Sequence, residues 1–157
     1  MIRLTKLSDY GIVLLSYFAR AKNRPFLNAR DLADASGVPL PTVSKLLKSL
    51  QRSGLLSSHR GVKGGYQLSR DPERISVADI IGAIEGPIAV TECTSVHKDL
   101  CEIELGCPVR SNWQRINAAV SQALGKLTLA EMTAPRSRQF GIAPTPRLVQ
   151  IGARNMT

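Results

Sequence analysis

Three cysteines crowd into one short stretch of the 157-residue chain: Cys93, Cys101 and Cys107, spaced C-x7-C-x5-C, with His97 inside the first interval. Thiolates bind soft metals and take part in redox chemistry, so the spacing bears on which of these is open. An odd cysteine count excludes a closed disulfide framework. Structural zinc sites draw their thiolates from close C-x2-4-C pairs, and the chain has none, so zinc would need His97 as a further donor. The longer spans suit an iron-sulfur cluster, whose irons are far enough apart to take thiolates from well-separated positions. Three cysteines would leave one position for another donor. Unligated loop thiols are the remaining reading, although three cysteines in a polar loop have no packing reason to gather.

A second set of residues has the chemistry of nucleic-acid contact. Leu40, Thr42, Ser44 and Lys45 come early in an apolar-periodic segment, and Lys48 follows a turn later. At the start of a groove-binding helix such side chains reach base edges or phosphates. Further on, the run Arg60-Gly61-Val62-Lys63-Gly64-Gly65 puts two cations among glycines, which let backbone approach a phosphate or a minor groove closely. The formal charge of +9 agrees and is segregated. Residues 1–74 carry 13 basic and 5 acidic side chains, residues 75–133 carry 4 and 7, and residues 134–157 carry 4 and none. A basic first half beside an acidic, cysteine-bearing middle points to a polyanionic partner.

The elements that must position these groups follow from the period of the apolar residues. Leu7, Gly11, Leu14 and Phe18 give a first helix that ends before Arg24-Pro25, and Asn28 with Asp31 caps a second helix running through Ala35. After the turn Ser36-Gly37-Val38-Pro39, a third helix begins near Pro41 and buries Val43, Leu46, Leu47 and Leu50. Ala33, Gly37 and Val43 fall at the crossing, turn and core positions of a helix-turn-helix. Residues 55–60 and 66–70 read as two strands joined by the basic glycine loop, which turns the pattern into a winged helix. Ser76 and Asp79 cap a fourth helix that stops at Gly86-Pro87. Residues 88–107 read as a loop. From Pro108 a helix of about 25 Å carries Val109, Trp113, Ile116, Val120, Ala123, Leu124 and Leu127 on one face, a stripe that a second copy of the chain would cover. Thr128 to Glu131 caps a further turn. Residues 134–157, with three prolines and four arginines, are expected to be disordered.

Several of these stretches together resemble one known family. They are the opening Met1-Ile-Arg-Leu-Thr-Lys-Leu-Ser-Asp9-Tyr-Gly, the hairpin Lys63-Gly-Gly-Tyr66-Gln-Leu, the helix from Val77 to Gly86 and the three-cysteine loop. The combination resembles the Rrf2 family of bacterial transcription regulators over residues 1 to 133, and Cys107 to Asn117 looks most like its branch that controls SUF-type iron-sulfur assembly operons. The resemblance implies a winged-helix homodimer joined through the long helix, with DNA binding governed by an iron-sulfur cluster, of 2Fe-2S or 4Fe-4S type, on Cys93, Cys101 and Cys107. By likeness to the nitric-oxide-sensing branch, Asp9 is the candidate fourth ligand, reaching from the other subunit. Its alternative role is a cap or surface acid, and His97, Glu92, Glu102 and Glu104 are the local competitors. The chain departs from better-known members in having seven residues rather than five between the first two cysteines. It also has Arg110 where another branch has a histidine ligand.

The expected protein is mainly α: a winged helix-turn-helix over residues 1–86, a cluster-binding loop over 87–107, a dimerisation helix over 108–133 and a basic tail over 134–157. Its expected partners are a double-stranded DNA operator and a second copy of itself. No membrane partner is expected, since no apolar run reaches spanning length. No secretory leader is expected either, so the cytosol is the expected compartment. No paired-carboxylate, nucleophile-base or phosphate-loop pattern supports an enzyme. Two alternatives stand beside a cluster-sensing repressor: a DNA-binding thiol or zinc switch without iron, and an iron-sulfur carrier whose basic half meets an acidic protein.

Overall fold

Thr5 opens the first helix, α1 (Lys6–Arg20), by accepting the amides of Leu7 and Ser8 on its side chain. The computed structural model of the chain describes residues 4–21, 26–61, 64–95 and 106–134. Helix α2 (Ala29–Ser36) starts at Asn28, whose side chain accepts the Asp31 amide, and ends on Gly37 in the left-handed region at φ 72°. That conformation is one a side chain would resist, and it turns the chain sharply into α3 (Leu40–Arg52), which has a proline in its first turn. Val43, Leu46, Leu47 and Leu50 of α3 are buried with Leu14, Leu15 and Phe18 of α1 and Leu32 of α2. Four fully buried leucines and valines of this kind contribute on the order of 1.5–3 kcal/mol each.

Strands β1 (Leu56–His59) and β2 (Gly65–Leu68) pair antiparallel, with Leu56 opposite Leu68 and His59 opposite Gly65. A feature beyond the period-based reading is a third, one-residue strand. Leu27 pairs with Tyr66 through two backbone hydrogen bonds of 2.9 Å, which anchors the α1–α2 connection to the wing. Gly65 makes the contact possible, because a Cβ there would sit 2.7 Å from the Leu27 carbonyl oxygen. One residue of strand has no alternation to detect, so periodicity does not reveal it.

Helix α4 (Val77–Glu85) begins with a reciprocal capping box between Ser76 and Asp79 and sends Val77, Ile80 and Ile81 inward. The expected loop after it contains a 3-10 turn at Glu92–Thr94. Helix α5 (Arg110–Lys126) follows, and then α6 (Leu129–Thr133), capped by Thr128 and Glu131. Hydrogen bonds from Thr128 hold the Glu131 carboxyl below its usual range. The chain here returns to its starting domain. Leu129 is fully buried in the same core as α1 and α3. Its amide donates to Ile75 O at 2.8 Å, while the Val77 amide donates to Leu127 O at 2.9 Å.

The single apolar face expected of α5 is in fact divided. Trp113, Asn117, Val120 and Leu124 are half-buried, at steps of three and four, and α5 packs on α4 and the 3-10 turn. Val109, Ile116 and Leu127 are 43–45% exposed on the other side. Seven apolar positions span too wide an arc for one seam, so the helix has one side for its own domain and one left outward. No helix of the described residues is long and apolar enough to cross a membrane.

Candidate functional site

The outward face of α3 is built by subtraction: once Val43, Leu46, Leu47 and Leu50 point to the core, the remaining positions must face out. Leu40, Lys45 and Lys48 are exposed, and Thr42 and Ser44 are half-buried beside them. Leu40 keeps 40% of its surface in solvent although it is a large apolar residue. An exposed leucine at the first turn is suited to apolar contact with a thymine methyl. Gln51, at the far end of α3, donates from its side-chain amide to Ser58 Oγ at 2.8 Å and so sets the wing at a fixed angle to the helix.

At the wing, Arg60 is exposed, and the Gly64 amide donates to the Gly61 carbonyl at 2.9 Å, closing a tight turn. A Cβ on Gly64 would run into the backbone of His59, Arg60 and Gly61. Gly64 therefore shapes the turn that presents the cations. His59 is exposed on β1 with its ring 4.6 Å from that of Phe26, and Tyr66 packs against the core, both as strand residues. Lys63 lies outside the described residues.

Of the three cysteines, Cys93 and Cys107 are described, and both are half-buried free thiols. Cys93 sits in the 3-10 turn, where its Sγ lies 3.2 Å from Thr91 Oγ1. Cys107 stands just before α5 and accepts the Arg110 amide on its carbonyl at 3.4 Å. Cys101 and His97 lie outside the described residues, as do Glu102, Glu104 and residues 135–157. Among the described residues no three Cys, His, Asp or Glu side chains gather as a metal-binding group. Asp9 is exposed in the first turn of α1.

Two polar residues that motif reading passes over hold this region together. Asn117 of α5 accepts the Val90 amide on Oδ1 at 3.0 Å and donates from Nδ2 to the Ile88 carbonyl at 3.1 Å. Glu85, the last residue of α4, accepts the Thr5 hydroxyl at 2.7 Å and also the hydroxyl of the fully buried Ser8. Desolvation pushes the Glu85 carboxyl up, but the bonds from Ser8 and Thr5 outweigh it and leave the group below its usual range. A polar residue within an apolar-periodic helix was the available signal for Asn117. For Glu85 no local signal exists, since its partners lie 77 and 80 residues away.

Helices α2 and α3 joined through Gly37, followed at once by a two-stranded basic hairpin, define a winged helix-turn-helix protein. The chain belongs to the Rrf2 family, described as an iron-dependent transcriptional regulator, which it matches over residues 4–135. It is 29% identical over 131 residues to the HTH-type transcriptional regulator IscR of Xenorhabdus nematophila, covering 83% of this chain and 79% of that protein. The fold is similar to CymR, the global cysteine regulator of B. subtilis, with a TM-score of 0.65 and 28% identity over 85% of this chain and 97% of that one. It is also similar to T. potens IscR, with a TM-score of 0.63 and 27% identity over 83% of this chain and 85% of that one. The chain is thus a DNA-binding transcriptional regulator and not an enzyme, and the carrier alternative gives way to this family membership.

Proposed function

We propose that the chain is a homodimeric repressor of iron-sulfur assembly genes whose hold on its operator depends on a cluster at Cys93, Cys101 and Cys107, with Asp9 of the other subunit as fourth ligand. The observation that carries this reading is the position of the two described thiols. Both are free and half-buried, and they bracket the connection between the DNA-reading domain and α5. Two thiols, with Cys101 between them in the chain, are a donor set suited to iron-sulfur ligation. A cluster bound there would supply a redox-active group that ties distant points of the loop together. The chain's own part is mechanical. Helix α3 offers Leu40, Thr42, Ser44 and Lys45 to the major groove and Lys48 to phosphate, while Arg60, Lys63 and the Gly64 turn address the adjoining backbone or minor groove. The outward side of α5 meets the second copy and sets the distance between the two α3 helices, which must match two half-sites on DNA. The working units are residues 1–86 for DNA, 87–107 for sensing and 108–133 for pairing, with 134–157 as a basic tail. The cytosol is the compartment in which such a regulator meets its operator.

A Mössbauer and absorption spectrum of protein isolated without oxygen tests the reading. A cluster signal lost in Cys107→Ala, together with a changed operator response, is the expected result. Protein that stays colourless after reconstitution with iron and sulfide overturns it. In that outcome a thiol switch without iron takes over, a reading favoured by the 3.2 Å contact of Thr91 with Cys93 and by the likeness to a cysteine regulator. One bound zinc would identify the zinc form of that switch. On the DNA side, Lys63→Ala should weaken binding to all sequences and lower the salt slope by about one, whereas Thr42→Ala should alter base preference.

A further inference from the structure

The segment 88–90 leaves α4 without a strand or helix of its own, yet the backbone amide of Val90 and the carbonyl of Ile88 are both satisfied by the side chain of Asn117. We propose that Asn117 is the positioning residue through which a change at Cys93 reaches α5 and the outward face that pairs with the second copy. The proposal rests on the regulatory reading above, though only on its placing of a sensor at the cysteines.

The chemistry of the side chain is matched to the task. A planar amide carries a donor and an acceptor side by side, so it can serve one backbone N–H and one backbone C=O together. Alanine would strip both groups of their partner, and half-buried backbone polar groups without a partner are costly. Aspartate keeps the acceptor for Val90 but turns a second oxygen toward the Ile88 carbonyl. Leu and Val would fit the half-buried side of α5 equally well, so packing gives no reason for an amide there.

From Val90 to Cys93 the path is short and stiff. Thr91 and Thr94 close the 3-10 turn on each other, with the Thr91 amide donating to Thr94 Oγ1 at 3.1 Å and Thr94 Oγ1 donating to the Thr91 carbonyl at 2.8 Å. Cys93 lies inside that turn, with Thr91 Oγ1 3.2 Å from its sulfur. Displacing the thiol therefore moves the turn, and the turn pulls on the middle of α5 rather than on its end. Cys107 meets the same helix at its first turn through the Arg110 amide. The two described cysteines thus hold α5 at two points about 10 Å apart along its axis, seven residues at the helical rise. Ile116, next to Asn117, faces the other way and is 43% exposed, so a rotation set by the clamp is delivered to the outward side.

The test uses full-length protein and a duplex selected by the wild type from random sequence. Operator affinity is measured for protein reconstituted without oxygen using iron and sulfide, and again after stripping. Couplings of this type usually amount to about 5- to 150-fold. Asn117→Ala and Asn117→Asp should keep the wild-type absorption per chain while the ratio of the two affinities falls to within about twofold of unity. A variant that folds, absorbs normally and keeps the wild-type ratio overturns the proposal. In the unmodified protein, hydrogen exchange at the Val90 amide gives an independent reading should both variants misfold. Protection in both states is expected, and fast exchange in either overturns the clamp. A wild type with no difference between its two states defeats the regulatory reading itself, and the inference with it, before any variant is compared.

Discussion

Glu85 sits where a helix least favours it. The C-terminal end of α4 carries partial negative charge, yet its last residue is a carboxylate. The opposing helix resolves the conflict: Thr5 and Ser8 lie at the N-terminal end of α1, where an anion is welcome, and both donate to Glu85 Oε1. Because these bonds lower the carboxyl's folded pKa below its usual value, the stabilisation is complete above that usual value and is lost as pH falls through the depressed one. Urea midpoints measured from neutral to acid pH should therefore drop in the wild type over that interval, and in Glu85→Gln they should start lower and drop less. Identical pH dependence in the two proteins would contradict this account. Serine 8 is the same lesson from the other side. A fully buried hydroxyl is unremarkable in sequence, and its partner becomes visible only when α1 and α4 are brought together.

Among the elements, those defined by periodic apolar residues and caps were readable without coordinates. Helices α1 to α4 and the hairpin carry Asn28, Gly37, Ser76 and the glycine turn at their boundaries, and each signal acts on its immediate neighbours. The unreadable parts depend on distant partners. Leu27 is a strand only because Tyr66 arrives beside it, and α6 is a core element only because Leu129 finds the pocket between the first helix and Ile75. The two sides of α5 could be recognised as apolar but not assigned, since one faces α4 and the other faces solvent in the single chain. The cysteines were legible as a cluster of thiols, while the clamp that fixes them was not, because Asn117 is separated from its partners by 27 and 29 residues. Leu129→Ala should cost about 2–5 kcal/mol in a denaturant melt, the range for a fully buried leucine. A change below about 1 kcal/mol would mean that α6 is only a surface appendage.

At the scale of the whole molecule, the DNA-facing parts and the pairing surface belong to different helices joined through one polar connection. Val109, Ile116 and Leu127 leave an apolar stripe outward along α5, and a regulator that reads two half-sites needs such a surface. Ile116→Glu should convert the dimer to monomer in sedimentation and weaken operator binding by about 100-fold or more, because the second half-site is no longer held nearby. A dimer that survives the substitution would move the pairing surface elsewhere.

The paired bonds joining Ile75 and Val77 to Leu129 and Leu127 bring both ends of the intervening stretch to one spot on the domain. Everything between them is an excursion that departs and returns at a fixed doorway. Residues added to such an excursion cost chiefly loop entropy, about 0.6 kcal/mol for each doubling in length, and leave the register of the DNA-reading core unaltered. The seven residues between the first two cysteines can therefore be accommodated without disturbing the core. The sensor is free to drift through insertion and deletion over evolutionary time, while the reader it reports to stays the same.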